Sequence, residues 1–226
     1  MNRVVVWSRL KRLILPRTLR SLEAYALWAP SYPPYAHNGL MEIEQAAMLR
    51  LMPTLIDRVV LDLACGTGRY GRIATQSGAA QVVGVDNSVP MLEAGGNSTA
   101  FSVLAPMSRL PFRSGSFNVI LCGLATGHLP PDVMRRAIIE MGRVLRPGGE
   151  ALISDFHPLL YAQGGRRTFT APDGRSYAVE HYPHSLDDYR TAISAAGMIV
   201  IAVEEPDAEV NGSRLPAVLA IRCQRV

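Results

Sequence analysis

The most informative part of the chain is Val59-Val60-Leu61-Asp62-Leu63-Ala64-Cys65-Gly66-Thr67-Gly68-Arg69-Tyr70. A short apolar run leads into closely spaced glycines and then into a helical pattern, which predicts a buried strand, a tight turn and a helix. Such a turn presents unpaired backbone N–H groups at the start of the helix, where the helix dipole is positive. The stretch therefore predicts a site at which the backbone approaches a ligand closely.

Two carboxylates near these glycines narrow the choice of ligand. Gly66, Gly68 and Gly71 form the GxGxxG pattern of dinucleotide sites. Asp86 ends the next predicted strand, where it can accept both hydroxyls of a ribose. Asp62 lies just before the glycines, where its charge would repel a pyrophosphate but attract an ammonium or a sulfonium. Asp62 therefore favours S-adenosylmethionine (SAM) over a dinucleotide, unless it only accepts local N–H groups as a turn residue.

Downstream of this stretch, short β-rich runs alternate with helical patterns, as in a βαβ sheet. The predicted strands are 59–63, 81–85, 101–104, 117–122 and 150–154, with helices around 69–77, 90–95 and 132–145. The run Arg146-Pro147-Gly148-Gly149 predicts a stop and a turn after the last of these helices.

After the fifth strand the alternation ends. Residues 155–184 predict a β-hairpin, a helix follows at 186–196, and two final strands are predicted at 198–203 and 217–222. No helix joins the final strands, so they should pair antiparallel. The sequence thus predicts an α/β, Rossmann-like, doubly wound seven-stranded sheet with an antiparallel last strand. We expect a helical lid segment at 1–40 and the main domain at 41–226, with 155–184 as a second part of the lid.

Four segments resemble motifs of the class I SAM-dependent methyltransferases. They are LDLACGTG at 61–68, GVDNS at 84–88, RLPFRSGSFNVI at 109–120 and RVLRPGGEALISD at 143–155. The resemblance covers about residues 59–156 and is to the broad small-molecule branch that includes quinone-biosynthesis and natural-product enzymes. It implies SAM as cofactor and methyl transfer to oxygen, carbon or nitrogen of a small molecule.

The resemblance also implies roles for individual residues. Asp62 and the backbone of 66–68 would hold the methionine part of SAM, and Asp86 would take the ribose hydroxyls. Pro106 stands where this branch usually carries an acid for the adenine amino group, so we expect weaker SAM affinity or a compensating polar group. Asn118, where aspartate is common, is expected to be structural. The expected cofactor-binding residues are Asp62, Ala64, Gly66, Thr67, Gly68, Asp86, Asn87, Met91, Met107, Gly123 and Leu124.

Histidines and aromatic residues lie where the acceptor should bind. A general base would help a hydroxyl or an acidic carbon react, and His157 is the first candidate and His128 the second, although each could simply hydrogen-bond a loop. His181 and His184 are three residues apart, as metal ligands can be, but no acidic residue or cysteine accompanies them. We therefore expect no metal. The residues expected at the substrate or in the lid are Trp28, Tyr32, Tyr35, His37, His181 and His184.

Composition limits the class of protein. The 226 residues include three scattered cysteines, Cys65, Cys122 and Cys223, which predict neither a disulfide framework nor a zinc site and fit a reducing cytoplasm. The net charge of +4 rests largely on arginines before Glu23, so we expect no nucleic-acid partner. Residues 7–14 predict a basic amphipathic helix, either packed on the domain or in weak contact with a membrane surface. A homodimer is compatible with the chain.

Three other functions remain open at this point. A SAM pocket could serve a cyclase or a binding module, because a fold does not fix a function. An RNA methyltransferase should add a basic and aromatic face. An NAD(P)-dependent oxidoreductase is favoured by GxGxxG and opposed by Asp62.

Overall fold

The computed structural model describes residues 16–96, 101–210 and 212–226, so the amphipathic helix predicted at 7–14 lies outside the described residues. The strands are β1 (Arg17–Leu19), β2 (Val59–Leu63), β3 (Gln81–Asp86), β4 (Phe101–Leu104), β5 (Phe117–Gly123), β6 (Leu145–Phe156), β7 (Thr168–Thr170), β8 (Ser176–Val179), β9 (Met198–Glu204), β10 (Asp207–Val210), β11 (Ser213–Pro216) and β12 (Val218–Arg225). The α-helices are α1 (Ser21–Trp28), α2 (Gly39–Leu51), α3 (Arg69–Gln76), α4 (Val89–Gly95), α5 (Pro131–Val144), α6 (Pro158–Ala162) and α7 (Leu186–Ala195). Short 3₁₀ turns cover Ala29–Ser31 and Thr126–His128.

A seven-stranded sheet in the order β4-β3-β2-β5-β6-β12-β9 forms the centre of the molecule. β2 pairs parallel with β3 and β5, while β12 pairs antiparallel with both β6 and β9. This confirms the predicted fold class, including the antiparallel last strand. The central strands are continuous apolar runs because helices cover both of their faces.

The two faces of the sheet carry separate hydrophobic clusters. Leu61 and Leu63 of β2 pack on the side of α5 and α7, whereas Val60 packs on the side of α2 and α3. This division follows from the period of two in a strand, which sends successive side chains to opposite faces. The carboxyl ends of β2, β3 and β5 are thereby fixed from both sides.

The second, smaller sheet joins two distant parts of the chain. β1 pairs parallel with β8, which pairs antiparallel with β7, so the hairpin predicted in the insertion is present. Trp28 of α1 stacks on Phe169 of β7, with ring centroids 4.7 Å apart. These contacts lie within the two segments, 1–40 and 155–184, that the sequence predicts to form a lid. From here on, the name lid refers to residues 17–32 and 167–180 only.

Some elements differ from the sequence-based prediction. The expected turn at 146–149 lies inside the bounds of β6, where Gly148 has φ +73° and the pairing with β5 shifts register between Phe117 and Val119. The connection between β9 and β12 contains the hairpin β10–β11. In addition, the short helix α6 begins two residues after the end of β6. These elements are short, so they leave no periodic signal in the sequence.

Within residues 16–96, 101–210 and 212–226, every helix is too short or too polar to cross a bilayer.

Candidate active site

A cleft of about 1000 Å³, including its open mouth, lies at the carboxyl ends of β2, β3 and β5, beneath the lid. Ligands bind at this edge in open α/β sheets. Gly68 is not among the lining residues and instead begins α3 as its N-cap. Ten of the eleven residues expected to bind the cofactor line the cleft: Asp62, Ala64, Gly66, Thr67, Asp86, Asn87, Met91, Met107, Gly123 and Leu124.

The backbone around the cleft is strained. Ala64 and Leu124 both have left-handed φ angles, 55° and 56°, although neither is a glycine. Such a conformation costs on the order of 1–3 kcal/mol and tends to occur at functional sites. Gly66 has φ +54°, and a Cβ there would lie 3.0 Å from Cε of Met91. The glycine at this position therefore keeps the loop close to the floor of the cleft.

Asp62 uses one carboxylate oxygen as a local acceptor within the glycine loop and leaves the other without a described partner. Its Oδ2 accepts a hydrogen bond from the N–H of Gly71 at 2.6 Å, so one oxygen is used within the glycine loop. Its Oδ1 has no hydrogen-bond partner among the described residues and belongs to a side chain that lines the cleft. Burial raises the pKa of Asp62 to about 7, because a desolvated carboxylate loses the water that stabilises its charge.

Asp86 links the glycine loop to β3. Its two oxygens accept hydrogen bonds from the N–H groups of Gly66 and Ser88, at 2.8 and 2.9 Å. Burial raises the pKa of this carboxyl as well. Ser88 was not singled out by the sequence, yet its buried Oγ has no partner among the described residues and its side chain lines the cleft. A polar ligand group can satisfy that hydroxyl.

The buried Glu44 of α2 organises the inner wall of the cleft. Its carboxylate pairs with Nη1 of Arg69 at 2.8 Å and accepts a hydrogen bond from Oη of Tyr70 at 2.7 Å and another from Ser154. The ring of Tyr70 presses on Gly123, where a Cβ would lie only 2.3 Å from Cε2 of the ring. Sequence reasoning missed Glu44, because one acid in a helix ahead of the first motif carries no distinctive signal.

The loop after α1 is tied to the glycine loop. Oγ1 of Thr67 donates to the carbonyl oxygen of Pro33 at 3.4 Å, and Nη2 of Arg72 donates to that of Pro34 at 2.9 Å. We call residues 33–34 the strap. Pro33 lines the cleft, so the strap forms part of its rim.

His128 and Tyr25 form a polar pair on the lid side of the cleft, which both residues line. Nδ1 of His128 lies 2.8 Å from the carbonyl oxygen of Glu180, and its Nε2 lies 3.0 Å from Oη of Tyr25. A carbonyl can only accept, so we assign the proton to Nδ1, and Tyr25 donates to Nε2. Burial, with help from the charge of Arg167, lowers the pKa of His128 to about 3. The imidazole is therefore neutral with a fixed tautomer.

Arg167 brings a cation from the lid into the same cleft. Its Nη2 donates to Oη of Tyr32 at 3.1 Å, and its Nη1 donates to the carbonyl oxygen of Leu124 at 3.4 Å. No local pattern in the sequence singles out Arg167, because it is one of 23 lysines and arginines and stands in an Arg-Arg pair.

The structure does not bring His157, the first candidate base, to the cleft. Its Nδ1 accepts from the N–H of Leu159 as the cap of α6, and its Nε2 lies 3.1 Å from Oε1 of Glu205. Both ring nitrogens are engaged, which matches the alternative of a loop-binding histidine. Nε2 of His184 likewise lies 3.0 Å from the carbonyl oxygen of Leu129.

The expected lid residues have different surroundings. Tyr32 lines the cleft, whereas Trp28 is buried within the lid. Tyr35 is 63% exposed, and His37 packs edge-on against Trp28 and Tyr32. His181 is partly buried next to the ring of His128, with both ring nitrogens lacking a partner among the described residues.

Part of the chain is similar to a known protein family and to named relatives. Residues 60–149 match the family described as a methyltransferase domain. The human protein "Probable tRNA methyltransferase 9B" is 34% identical over 96 residues, which are 42% of this chain and 20% of that protein. Demethylmenaquinone methyltransferase of Clavibacter sepedonicus is 32% identical over 123 residues, which are 52% of this chain and 49% of that protein. The chain thus spans about a fifth and about half of the length of these two relatives.

A solved structure shows the same fold. The S-adenosylmethionine-dependent methyltransferase from Mesorhizobium loti aligns with a TM-score of 0.65 at 22% identity, over 83% of this chain and all of that one. This alignment covers more of the chain than the family match over residues 60–149.

Proposed function

We propose, from the match of residues 60–149 to the methyltransferase domain family and from the residues that line the cleft, that this chain transfers a methyl group from SAM to a small-molecule acceptor. One observation carries the choice of cofactor. The carboxylates of Asp62 and Asp86 face one cleft from the ends of adjacent strands, with a close-approach glycine turn between them. Two buried acids suit an ammonium and a ribose, and they disfavour a pyrophosphate.

The residues of the cleft fit SAM in three places. Oδ1 of Asp62 is available for the ammonium of the methionine part. Asp86 and the unpartnered Oγ of Ser88 are available for ribose hydroxyls. Met91 and Met107 provide apolar surface for the adenine. When bound, SAM supplies an electrophilic methyl group on a sulfonium.

The lid side of the cleft suits the acceptor. The hydroxyl of Tyr25 donates its hydrogen to Nε2 of His128. The lone pairs of Oη can therefore accept a hydrogen bond from the hydroxyl or amine of the acceptor and orient that group. Holding a nucleophile in line accounts for much of the rate of such a transfer, on the order of 7–11 kcal/mol. His128 acts through Tyr25 as a neutral positioning residue, because its low pKa makes it a weak base. The aromatic lid limits the access of water.

The similarity to a protein named as a tRNA methyltransferase supports a rival, RNA as acceptor. RNA binding would depend strongly on salt because phosphate contacts release counterions. A small acceptor is supported by the demethylmenaquinone relative and by a cleft that the lid covers. A titration with tRNA at two salt concentrations separates the two, and tight, salt-sensitive binding would favour the rival.

Thermal unfolding with S-adenosylhomocysteine (SAH), SAM, NADH and NADPH tests the cofactor. A ligand present at 100 times its Kd adds about 2.7 kcal/mol to the free energy of unfolding, which raises Tm by several degrees. We expect a shift with SAH and SAM only. A shift with a dinucleotide alone would contradict the proposed function.

A further inference from the structure

We propose that Arg167 binds an anionic group of the acceptor, so that the substrates of this site are small molecules carrying a carboxylate or an equivalent oxyanion. This inference rests on the proposed function, because it assigns a substrate class to the same cleft.

The first observation is that Arg167 lacks a countercharge. Among the described residues, no carboxylate lies within 4 Å of its guanidinium. Its described hydrogen bonds go to two neutral oxygens, of Tyr32 and Leu124, and use two of the five N–H groups that an arginine carries. Arg167 is half-buried, so its charge is less well solvated than that of a surface arginine, and a bound anion would supply the missing countercharge.

Asp155, whose negative charge acts on Arg167, has its carboxylate oxygens hydrogen-bonded to other groups. Oδ2 of Asp155 accepts hydrogen bonds from Thr126 at 3.0 Å and from Tyr189 at 3.1 Å. Its Oδ1 accepts from the N–H of Phe156 at 2.8 Å. Asp155 therefore stabilises the end of β6 and does not pair directly with Arg167.

The other basic side chains that line the cleft are also accounted for. Arg69 is paired with Glu44 at 2.8 Å, and His128 is neutral. Within the described ranges, Arg167 is thus the one cation of the cleft without an anionic partner. Its planar fork of donors matches a carboxylate, which it can bind through two parallel hydrogen bonds.

The surroundings of the guanidinium indicate the rest of the acceptor. The rings of Tyr25, Trp28 and Phe156 have centroids 5.5 to 5.9 Å from the guanidinium carbon. Arg167 also belongs to the lid, whereas Asp62 and Asp86 belong to strands of the central sheet. An aromatic or apolar body with one anionic group fits this half of the cleft.

The test measures ligand binding to the full chain saturated with SAH. Ligand-observed NMR titrations use benzoate, phenylphosphonate and the neutral isostere benzamide. We expect at least one anion to bind about tenfold or more tightly than benzamide, and Arg167→Gln to abolish that preference. Arg166→Gln is the matched control, because Arg166 is exposed, lies over the ring of Tyr161 and does not line the cleft. Equal binding of anions and benzamide to the wild-type chain would overturn the inference.

A second arm tests whether Arg167 instead holds the carboxylate of the cofactor. SAH and 5′-methylthioadenosine, which lacks the amino-acid part, are titrated into wild type and Arg167→Gln by calorimetry. We expect the substitution to change neither Kd by more than about twofold, which also shows that the variant is folded. A loss of SAH affinity with unchanged methylthioadenosine affinity would assign Arg167 to the cofactor and overturn the inference. Failure of the wild-type chain to bind SAH would instead remove the proposed function itself.

Discussion

At the scale of single residues, the cleft contains a buried carboxylate, Asp62, whose negative charge is poorly solvated. Asp62 is 2% exposed, and burial raises its pKa to about 7. Its pKa in the unfolded chain is near the ordinary 3.9, so between about pH 4 and pH 7 the folded chain holds one proton more. Folding stability therefore decreases as pH rises through that window, while the ability of Asp62 to attract an ammonium increases.

The pH dependence of SAH binding follows from this. We expect the affinity for SAH to rise about tenfold between pH 6 and pH 8, because the ionised fraction of Asp62 rises by about that factor around a pKa of 7. Calorimetric titrations at several pH values measure this, and Asp62→Asn should bind more weakly with a nearly flat profile. A wild-type profile that stays flat would show that Asp62 does not contact the ammonium.

The pair of Tyr25 and His128 gives a second prediction at this scale. Tyr25→Phe keeps the ring but leaves Nε2 of His128 buried without its donor, which costs about 1–3 kcal/mol of stability. We also expect kcat to fall, since the hydroxyl that orients the acceptor is gone. Tyr177→Phe is the control, because its hydroxyl makes only a 3.4 Å exposed contact with Asp173. Equal effects of the two substitutions on unfolding and turnover would argue against the role of Tyr25.

At the scale of elements, α2 supports the wall of the cleft through Glu44, which holds Arg69 and Tyr70 in place. Glu44→Ala removes one partner of a buried ion pair and leaves Arg69 uncompensated, so we expect a loss of about 3–5 kcal/mol in denaturant unfolding. Glu42→Ala, on the exposed side of the same helix, should change stability by less than about 0.5 kcal/mol. Similar losses in both variants would mean that the helix, rather than the ion pair, accounts for the effect.

The same scale shows what the sequence can and cannot predict. β2, β3 and β5 are predictable because buried parallel strands read as unbroken apolar runs, and the glycine turn marks where they meet a ligand. β1 is not, because a strand of three residues has no period and owes its existence to pairing with β8. Arg167 escapes for the same reason. Its role depends on which neighbours the fold brings to it, such as Tyr32, which is 135 residues away along the chain, and not on any local pattern.

At the scale of the whole molecule, the lid is a separate small core beside the large sheet. Six buried residues hold it together: Leu19, Ala24, Trp28, Phe169, Ala171 and Val179. So small a cluster should open locally at a lower free energy than the central sheet.

Hydrogen exchange can measure this cooperation between distant segments. We expect Trp28→Ala to reduce amide protection across residues 168–179, because Trp28 stacks on Phe169, while β5 and β6 keep theirs. Tyr35→Ala, which removes an exposed ring from the neighbouring loop, should leave both regions unchanged. Loss of protection throughout the central sheet would show that the lid does not open as a unit.

The strap at residues 33–34 affects how ligands enter and leave the cleft. Both of its residues are prolines, which carry no N–H, so the strap meets the glycine loop only as an acceptor. When it lifts, it leaves no donor of its own unpaired, and Nη2 of Arg72 keeps its second hydrogen bond, to the carbonyl oxygen of Thr67. The rim can therefore open for entry and exit at little energetic cost, while the carboxylates beneath it keep their geometry from one turnover to the next.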